Sequence, residues 1–120
     1  MESVGIDIIE ISRFRQLLDK KPSLLRRLFT EYEWNYADQK QKAQTLAGLW
    51  CAKEAVLKAM SLYISDLNIT DVCLAHHPNG APYVFSIKNR DISQFDMSIS
   101  ISHSSLTATA VCIFSKNASQ

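Results

Sequence analysis

Three positions in this chain carry charge where the surrounding pattern is apolar. Asp7 sits in the middle of Val4-Gly5-Ile6-Asp7-Ile8-Ile9, a run of branched residues that reads as a strand. A carboxylate there is costly to bury unless a cation, a hydrogen-bond cluster or an edge position relieves it, although a solvated face would serve equally well. Gly5 shares the face of Asp7 and leaves room for a ligand to approach. Glu54 lies in Trp50-Cys51-Ala52-Lys53-Glu54-Ala55-Val56-Leu57-Lys58-Ala59, with Lys53 adjacent and Lys58 four residues on. On an exposed helix a Glu-to-Lys pair at that spacing contributes about 0.2–0.5 kcal/mol and nothing more. This segment is apolar around the charges, so a functional pair competes with an intramolecular salt bridge. His103 ends Met97-Ser98-Ile99-Ser100-Ile101-Ser102-His103, where strict alternation sets it on the face of Met97, Ile99 and Ile101 with the serines opposite. Ser104 and Ser105 follow in a turn whose hydroxyls and amides could receive an anion.

Together these positions supply two carboxylates, Asp7 and Glu54, and three cationic side chains, Lys53, Lys58 and His103. Oxygen donors that are few in number suit Mg²⁺, which keeps several waters and completes its shell with substrate phosphates. Nearby lysines would offset phosphate charge. The chemistry these residue types suggest is a metal-assisted reaction at a phosphate ester or anhydride.

The elements that must position them follow from periodicity. After the strand at residues 4–9, Ser12 is placed to cap a helix with apolar Phe14, Leu17 and Leu18 at helical spacing, ended by Pro22. Residues 24–29 read as another turn or two of helix. Thr30-Glu31-Tyr32-Glu33 then has the spacing of a capping box, which predicts a helix through Trp34 and Ala37. Residues 45–60 are rich in Ala, Leu, Lys and Glu and apolar nearly all round, so they predict a central, largely buried helix. Residues 71–76 and 83–88 read as strands joined through Asn79-Gly80, and residues 97–103 and 107–114 as a second pair. The expected fold class is α+β, a long central helix packed on an antiparallel or mixed sheet.

Composition bounds the functional classes. At 120 residues the chain has room for one domain, residues 1–120, and 47% hydrophobic residues suffice for a core without disulfides. The three cysteines, Cys51, Cys73 and Cys112, have no metal-ligand or disulfide spacing and read as small buried hydrophobes in a reducing compartment. No run of eighteen apolar residues occurs and the N-terminus has no leader pattern, so a cytoplasmic protein without a membrane span is expected. Residues 115–120 read as a loose tail. A net charge of +1 argues against a nucleic-acid binder with a basic footprint. Charge is uneven all the same, because residues 11–27 hold Arg13, Arg15, Lys20, Lys21, Arg26 and Arg27 against the single acid Asp19. A solvated face is the default reading of such a run.

Gly5-Ile6-Asp7-Ile8-Ile9 with Arg13-Phe14, Phe29-Thr30-x-x-Glu33, the Trp50 to Ala59 segment, Asn79-Gly80-Ala81-Pro82 and Ser100-Ile101-Ser102-His103-Ser104 form an ordered set over nearly the whole chain. In these motifs the chain resembles the 4′-phosphopantetheinyl transferases, and more narrowly the small bacterial holo-[acyl-carrier-protein] synthases. The resemblance implies transfer of the phosphopantetheine arm of coenzyme A to a serine of apo acyl carrier protein, with release of adenosine 3′,5′-bisphosphate. It also implies a homotrimer with coenzyme A between subunits. Asp7 and Glu54 would hold Mg²⁺, and Lys58 would stabilise the departing phosphate. Lys53 would lie with the coenzyme A contacts, His103 and Ser104 would bind a phosphate of the nucleotide end, and Asn79, Gly80 and Pro82 would form the turn beside the adenine. Glu54 or a metal-bound water would take the serine proton. Arg13, Arg15, Lys20, Arg26 and Arg27 would become the docking surface for the acidic carrier protein.

The chain departs from the family pattern where Arg is frequent and it has Leu49, and where a basic residue is frequent and it has Ala81. Both changes remove cations from the coenzyme A neighbourhood. Two other classes share parts of the signature. A Mg²⁺-dependent nuclease also uses two carboxylates and a lysine, though the common E-x-K spacing is absent. A non-catalytic module could bind an acidic protein through the basic stretch alone.

Overall fold

The computed structural model describes residues 2–117. Strand β1 (Glu2–Glu10) runs directly into helix α1 (Ile11–Lys20), followed by α2 (Pro22–Arg26), α3 (Glu31–Asp38) and the long α4 (Lys42–Met60). A single turn of 3₁₀ helix (Ile69–Asp71) leads into the hairpin β2 (Val72–His76) and β3 (Pro82–Ile87), then β4 (Phe95–His103) and β5 (Thr107–Lys116).

The strands form two antiparallel sheets, one of order β1-β5-β4 and one of β2 with β3, where the sequence suggested one. In the larger sheet Asp7 stands opposite Ala110, and Ala110 opposite Ile101. The inner face carries Gly5, Asp7 and Ile9 of β1, Ala108, Ala110, Cys112 and Phe114 of β5, and Met97, Ile99 and Ile101 of β4. Helix α4 lies across this face, chiefly on β1 and β5. Its Leu46, Leu49, Val56, Ala59 and Met60 join Phe114, Ile11, Phe14, Leu25 and Leu74 in the core. The outer face keeps Val4, Ile6, Ile8 and Ile113 exposed.

Helix starts obey local chemistry with one correction. At α3 the capping box is present in both directions, Thr30 Oγ1 accepting the Glu33 amide and Glu33 accepting the Thr30 amide. Ser12 caps nothing, because the chain turns from β1 to α1 two residues earlier and Glu10 occupies the cap without a side-chain bond. The Ile11 amide is instead satisfied by the Leu106 carbonyl at 2.9 Å, which ties the start of α1 to the β4–β5 turn. Pro22 opens α2 at its first turn, where its missing N–H costs nothing. In the β2–β3 hairpin Gly80 has φ +93°, a conformation that favours glycine, and Asn79 Oδ1 accepts the Ala81 amide. Of the expected loose tail, Ser115 and Lys116 belong to β5, and residues 118–120 lie outside the described residues.

Candidate active site

Asp7 is positioned by the close approach of β1 to α4. A Cβ built on Gly5 would stand 1.9 Å from the Ala55 carbonyl oxygen and 2.7 Å from the Ala59 nitrogen, so only glycine lets the strand lie this near. The space beside Gly5, expected to admit a ligand, is filled by the helix backbone. Two residues on, the Asp7 side chain is 18% exposed and its Oδ1 accepts from Lys58 Nζ at 3.2 Å. Lys58 also donates to the Ile6 carbonyl at 2.9 Å, while Thr109 Oγ1 donates to the Asp7 carbonyl at 2.7 Å. Lys58 thus pairs with Asp7 and not with Glu54 four residues before it.

Glu54 stands half-buried one turn before Lys58. Its acidity is weakened, first by loss of solvent and then by the Asp7 charge, against which Lys58 acts in the other direction. Beneath the pair, the buried Cys51 thiol is pushed up to about 12 by burial, by the charge and hydrogen bonding of Asp7, and by Glu54. A half-buried carboxylate that feels the Asp7 charge, beside an Asp7–Lys58 pair, forms a site that a further cation would relieve. A hollow of about 240 Å³ lined by Ile6, Asp7, Ile8, Lys58 and Thr109 opens here to solvent.

A second hollow of about 310 Å³ gathers Tyr36, Lys40, Gln44, Leu49, His76, Gly80, Pro82 and His103. His103 Nε2 lies 3.1 Å from Gln44 Nε2, so the amide N–H donates to an imidazole nitrogen. Gly48 faces Ile101, and a Cβ there would come within 2.9 Å of its Cγ2. Three of the residues expected at the nucleotide end, Gly80, Pro82 and His103, are therefore brought together. Asn79 is spent on its own turn and does not line the hollow. Ser104 Oγ accepts the Leu106 and Thr107 amides at 3.1 Å each, so it holds the β4–β5 turn. This hollow shares no lining residue with the one at Asp7.

Lys53 belongs to neither hollow. Its side chain is fully buried, with Nζ 2.6 Å from Glu33 Oε1 and donating to the Leu28 carbonyl at 3.2 Å, so the structure leaves it no reach to a nucleotide. Neighbouring positions on a helix point about 100° apart, which is why Lys53 meets Glu33 of α3 while Glu54 stays partly exposed within reach of the Asp7 charge. Arg13, Arg15, Lys20, Arg26 and Arg27 are all exposed. Arg13 and Lys20 border a shallow hollow of about 220 Å³ with Gln16, Leu17 and Lys21, and the Arg26 guanidinium lies 5.1 Å from the Trp34 ring centre.

The residues that sequence reasoning missed are Tyr36, Lys40, Gln44 and His76. The His76 ring stacks on Tyr36 at 3.7 Å, its Nδ1 is 3.2 Å from Tyr32 Oη, and Lys40 Nζ lies 5.4 Å from the Tyr36 ring centre. Burial keeps His76 below the ordinary histidine range. No spacing rule joins positions 36, 40 and 76, since they meet only when α3 packs beside β2.

This arrangement has close parallels. The family model of the 4′-phosphopantetheinyl transferase superfamily matches residues 3–112. A holo-[acyl-carrier-protein] synthase of Alkaliphilus metalliredigens is 35% identical over 94% of this chain and 98% of its own, and one of Sulfurovum is 37% identical over 90% and 92%. Among solved structures, the Chronobacterium ammoniagenes ACPS–CoA complex superposes with a TM-score of 0.83 at 26% identity, covering 98% of both chains. The Helicobacter pylori holo-[acyl-carrier-protein] synthase in complex with coenzyme A gives 0.79 at 28% identity, covering 93% of this chain and 99% of that one. With its fold, its ordered motifs and its relatives in agreement from β1 to β5, the chain belongs to the 4′-phosphopantetheinyl transferase superfamily.

Proposed function

We propose that this phosphopantetheinyl transferase moves the 4′-phosphopantetheine arm of coenzyme A to a serine hydroxyl of apo acyl carrier protein. The observation that carries the reading is the Asp7–Lys58 pair at the crossing of β1 and α4, with Glu54 one helical turn before Lys58 and near enough to feel the Asp7 charge. In the reaction the serine oxygen bonds to the phosphorus that bears the pantetheine arm. The bridging P–O bond of the pyrophosphate breaks, its electron pair leaves on adenosine 3′,5′-bisphosphate, and the serine proton passes to a base.

Asp7 and Glu54 fit a Mg²⁺ ion. They offer hard oxygen donors, burial and then the Asp7 charge hold Glu54 above the ordinary glutamate range, and the solvent-open hollow at Asp7 leaves space for waters and phosphate oxygens. Bound there, the ion would spread the charge that develops on the pyrophosphate. The half-exposed Lys58 ammonium would stabilise the charge on the departing phosphate. The hollow at His103 takes the nucleotide end, with Gly80 and Pro82 against the base and Lys40 and His103 toward phosphate.

Two observations support assembly as a homotrimer with the site shared between copies. The two hollows are separate on one chain, and the outer sheet face leaves Val4 62%, Ile6 62% and Ile8 67% exposed, an apolar patch that solvent does not favour. The exposed cations of α1 and α2, Arg13 foremost, suit an acidic carrier protein and would act mainly on encounter rate. A cytoplasmic location goes with this reading, in keeping with three unpaired cysteines. Among the described residues no helix is long and apolar enough to cross a membrane.

The test is incubation of the chain with coenzyme A, Mg²⁺ and apo carrier protein, read by intact mass of the carrier. The carrier gains one phosphopantetheinyl group, and with Asp7→Ala or Glu54→Ala the gain is at least about 100-fold slower. Absence of any mass shift with folded protein and a competent carrier would overturn the reading. Near-complete alignment with a transferase superfamily speaks against the nuclease and the non-catalytic module.

A further inference from the structure

Among the described residues the most heavily protected charges lie outside both hollows. Lys53 and Glu33 are each 0% exposed and 2.6 Å apart. Every polar atom of the pair is used. Glu33 Oε1 also accepts the Thr30 amide at 2.8 Å and Oε2 accepts the Leu74 amide at 2.7 Å, while Lys53 Nζ also donates to the Leu28 carbonyl. The Phe29 ring covers the ammonium at 5.3 Å. One ion pair therefore joins α4 to the start of α3, to the loop before it and to β2.

Helix α4 needs such a fixed point. Toward β1 and β5 it presents small residues, Ala55 and Ala59 against Gly5 and Cys51 against the Ala108 carbonyl, on a helix that buries apolar side chains over most of its circumference. Close packing there holds the helix near the strands, and Lys53, on another side of the same helix, fixes its rotation from the side of α3. Lys53 and Glu54 are neighbours about 100° apart. Rotation that Lys53 forbids is the rotation that would carry Glu54 away from Asp7. Buried ion pairs add little net stability compared with apolar or neutral replacements of the same size, and their better-attested use is to select one register.

We infer that the buried Lys53–Glu33 pair is a positioning device for the metal-binding carboxylates, setting the rotation of α4 so that Glu54 and Asp7 face one cation. The inference rests on the Mg²⁺ role proposed above for those carboxylates.

The test uses the volume-matched neutral double variant Glu33→Gln with Lys53→Met, which removes the pair without leaving one charge alone in the core. Mn²⁺ binding to the folded protein with coenzyme A present is read by electron paramagnetic resonance, alongside thermal unfolding and the Mg²⁺ concentration for half-maximal transfer. The expected result is a folded variant with a lowered melting temperature, since the Glu33→Gln carboxamide has one acceptor oxygen where Glu33 serves both the Thr30 and Leu74 amides, together with Mn²⁺ affinity weakened at least tenfold, the Mg²⁺ requirement raised by a similar factor, and KM for carrier protein unchanged. Unchanged Mn²⁺ affinity in a folded double variant would overturn the inference. So would failure of the double variant to fold, since the pair would then serve the fold as a whole and not the placement of Glu54. If the parent protein binds no Mn²⁺, the proposed function fails first and this inference with it, an outcome distinct from a loss of difference between parent and variant.

Discussion

Residues that bear charge in apolar surroundings were the legible part of the site. Asp7 in a strand of branched residues and Glu54 and Lys58 on an apolar helix carry a desolvation cost that has to be met somewhere, and Asp7 meets it with Lys58 while Glu54 meets it with weakened acidity. Lys53 carries the same signature and proved to be an interior ion pair, because its partner Glu33 lies on another helix and no sequence spacing reports that distance. The weakened acidity of Glu54 has a thermodynamic consequence. Its ionisation costs the native state more than the unfolded one, so stability declines as pH rises from the ordinary glutamate range through the raised native value. Glu54→Gln is therefore expected to abolish transfer yet raise the melting temperature at pH 7 without metal, with the gain vanishing toward pH 3. Thermal melts of both proteins across that range check it, and a lower melting temperature at pH 7 would contradict it. Thiol accessibility gives a second check. Cys51 and Cys112, held up to about 12 and about 11, should resist a thiolate-directed reagent in the native protein and react only on unfolding, whereas the half-buried Cys73 reacts first.

At the scale of elements, the long helix, the two hairpins and the capping box of α3 follow from local rules that tertiary packing did not override. What local rules could not supply is contact. The start of α1 is held by the Leu106 carbonyl and not by Ser12, and the five strands divide into two sheets, since the pairing of β1 with β5 depends on chain ends more than a hundred residues apart. Gly5 shows the same limit from the other side. A glycine beside Asp7 signalled a close approach, and the approaching group is the backbone of α4. Gly5→Ala must push β1 off the helix, at a cost of about 1–3 kcal/mol. The expected result is a lowered melting temperature together with a loss of transfer larger than that loss of stability explains at 25 °C, because Asp7 moves with its strand. Unfolding and transfer measured on the same preparation decide this.

The whole molecule presents two surfaces that its own fold leaves unused. An exposed apolar sheet face is expected to assemble copies of the chain, and Ile6→Asp, at the centre of that face, should convert a particle of three chain masses in light scattering to one of a single chain and remove transfer activity. A monomeric parent with full activity would contradict the shared site. The basic face of α1 and α2 is expected to act through encounter, so Arg13→Ala should raise KM for carrier protein several-fold at low ionic strength, and the difference should shrink as salt is added. Net charge of +1 concealed both surfaces, because neither an apolar face nor a local cluster of cations registers in a sum over the chain. The most direct measurement remains the intact mass of apo acyl carrier protein after incubation with coenzyme A, Mg²⁺ and either the parent chain or its Asp7→Ala variant. The account predicts a gain of one phosphopantetheinyl group with the parent and a loss of at least about 100-fold in rate with the variant. An unmodified carrier with the parent, or an equal rate with the variant, would contradict it.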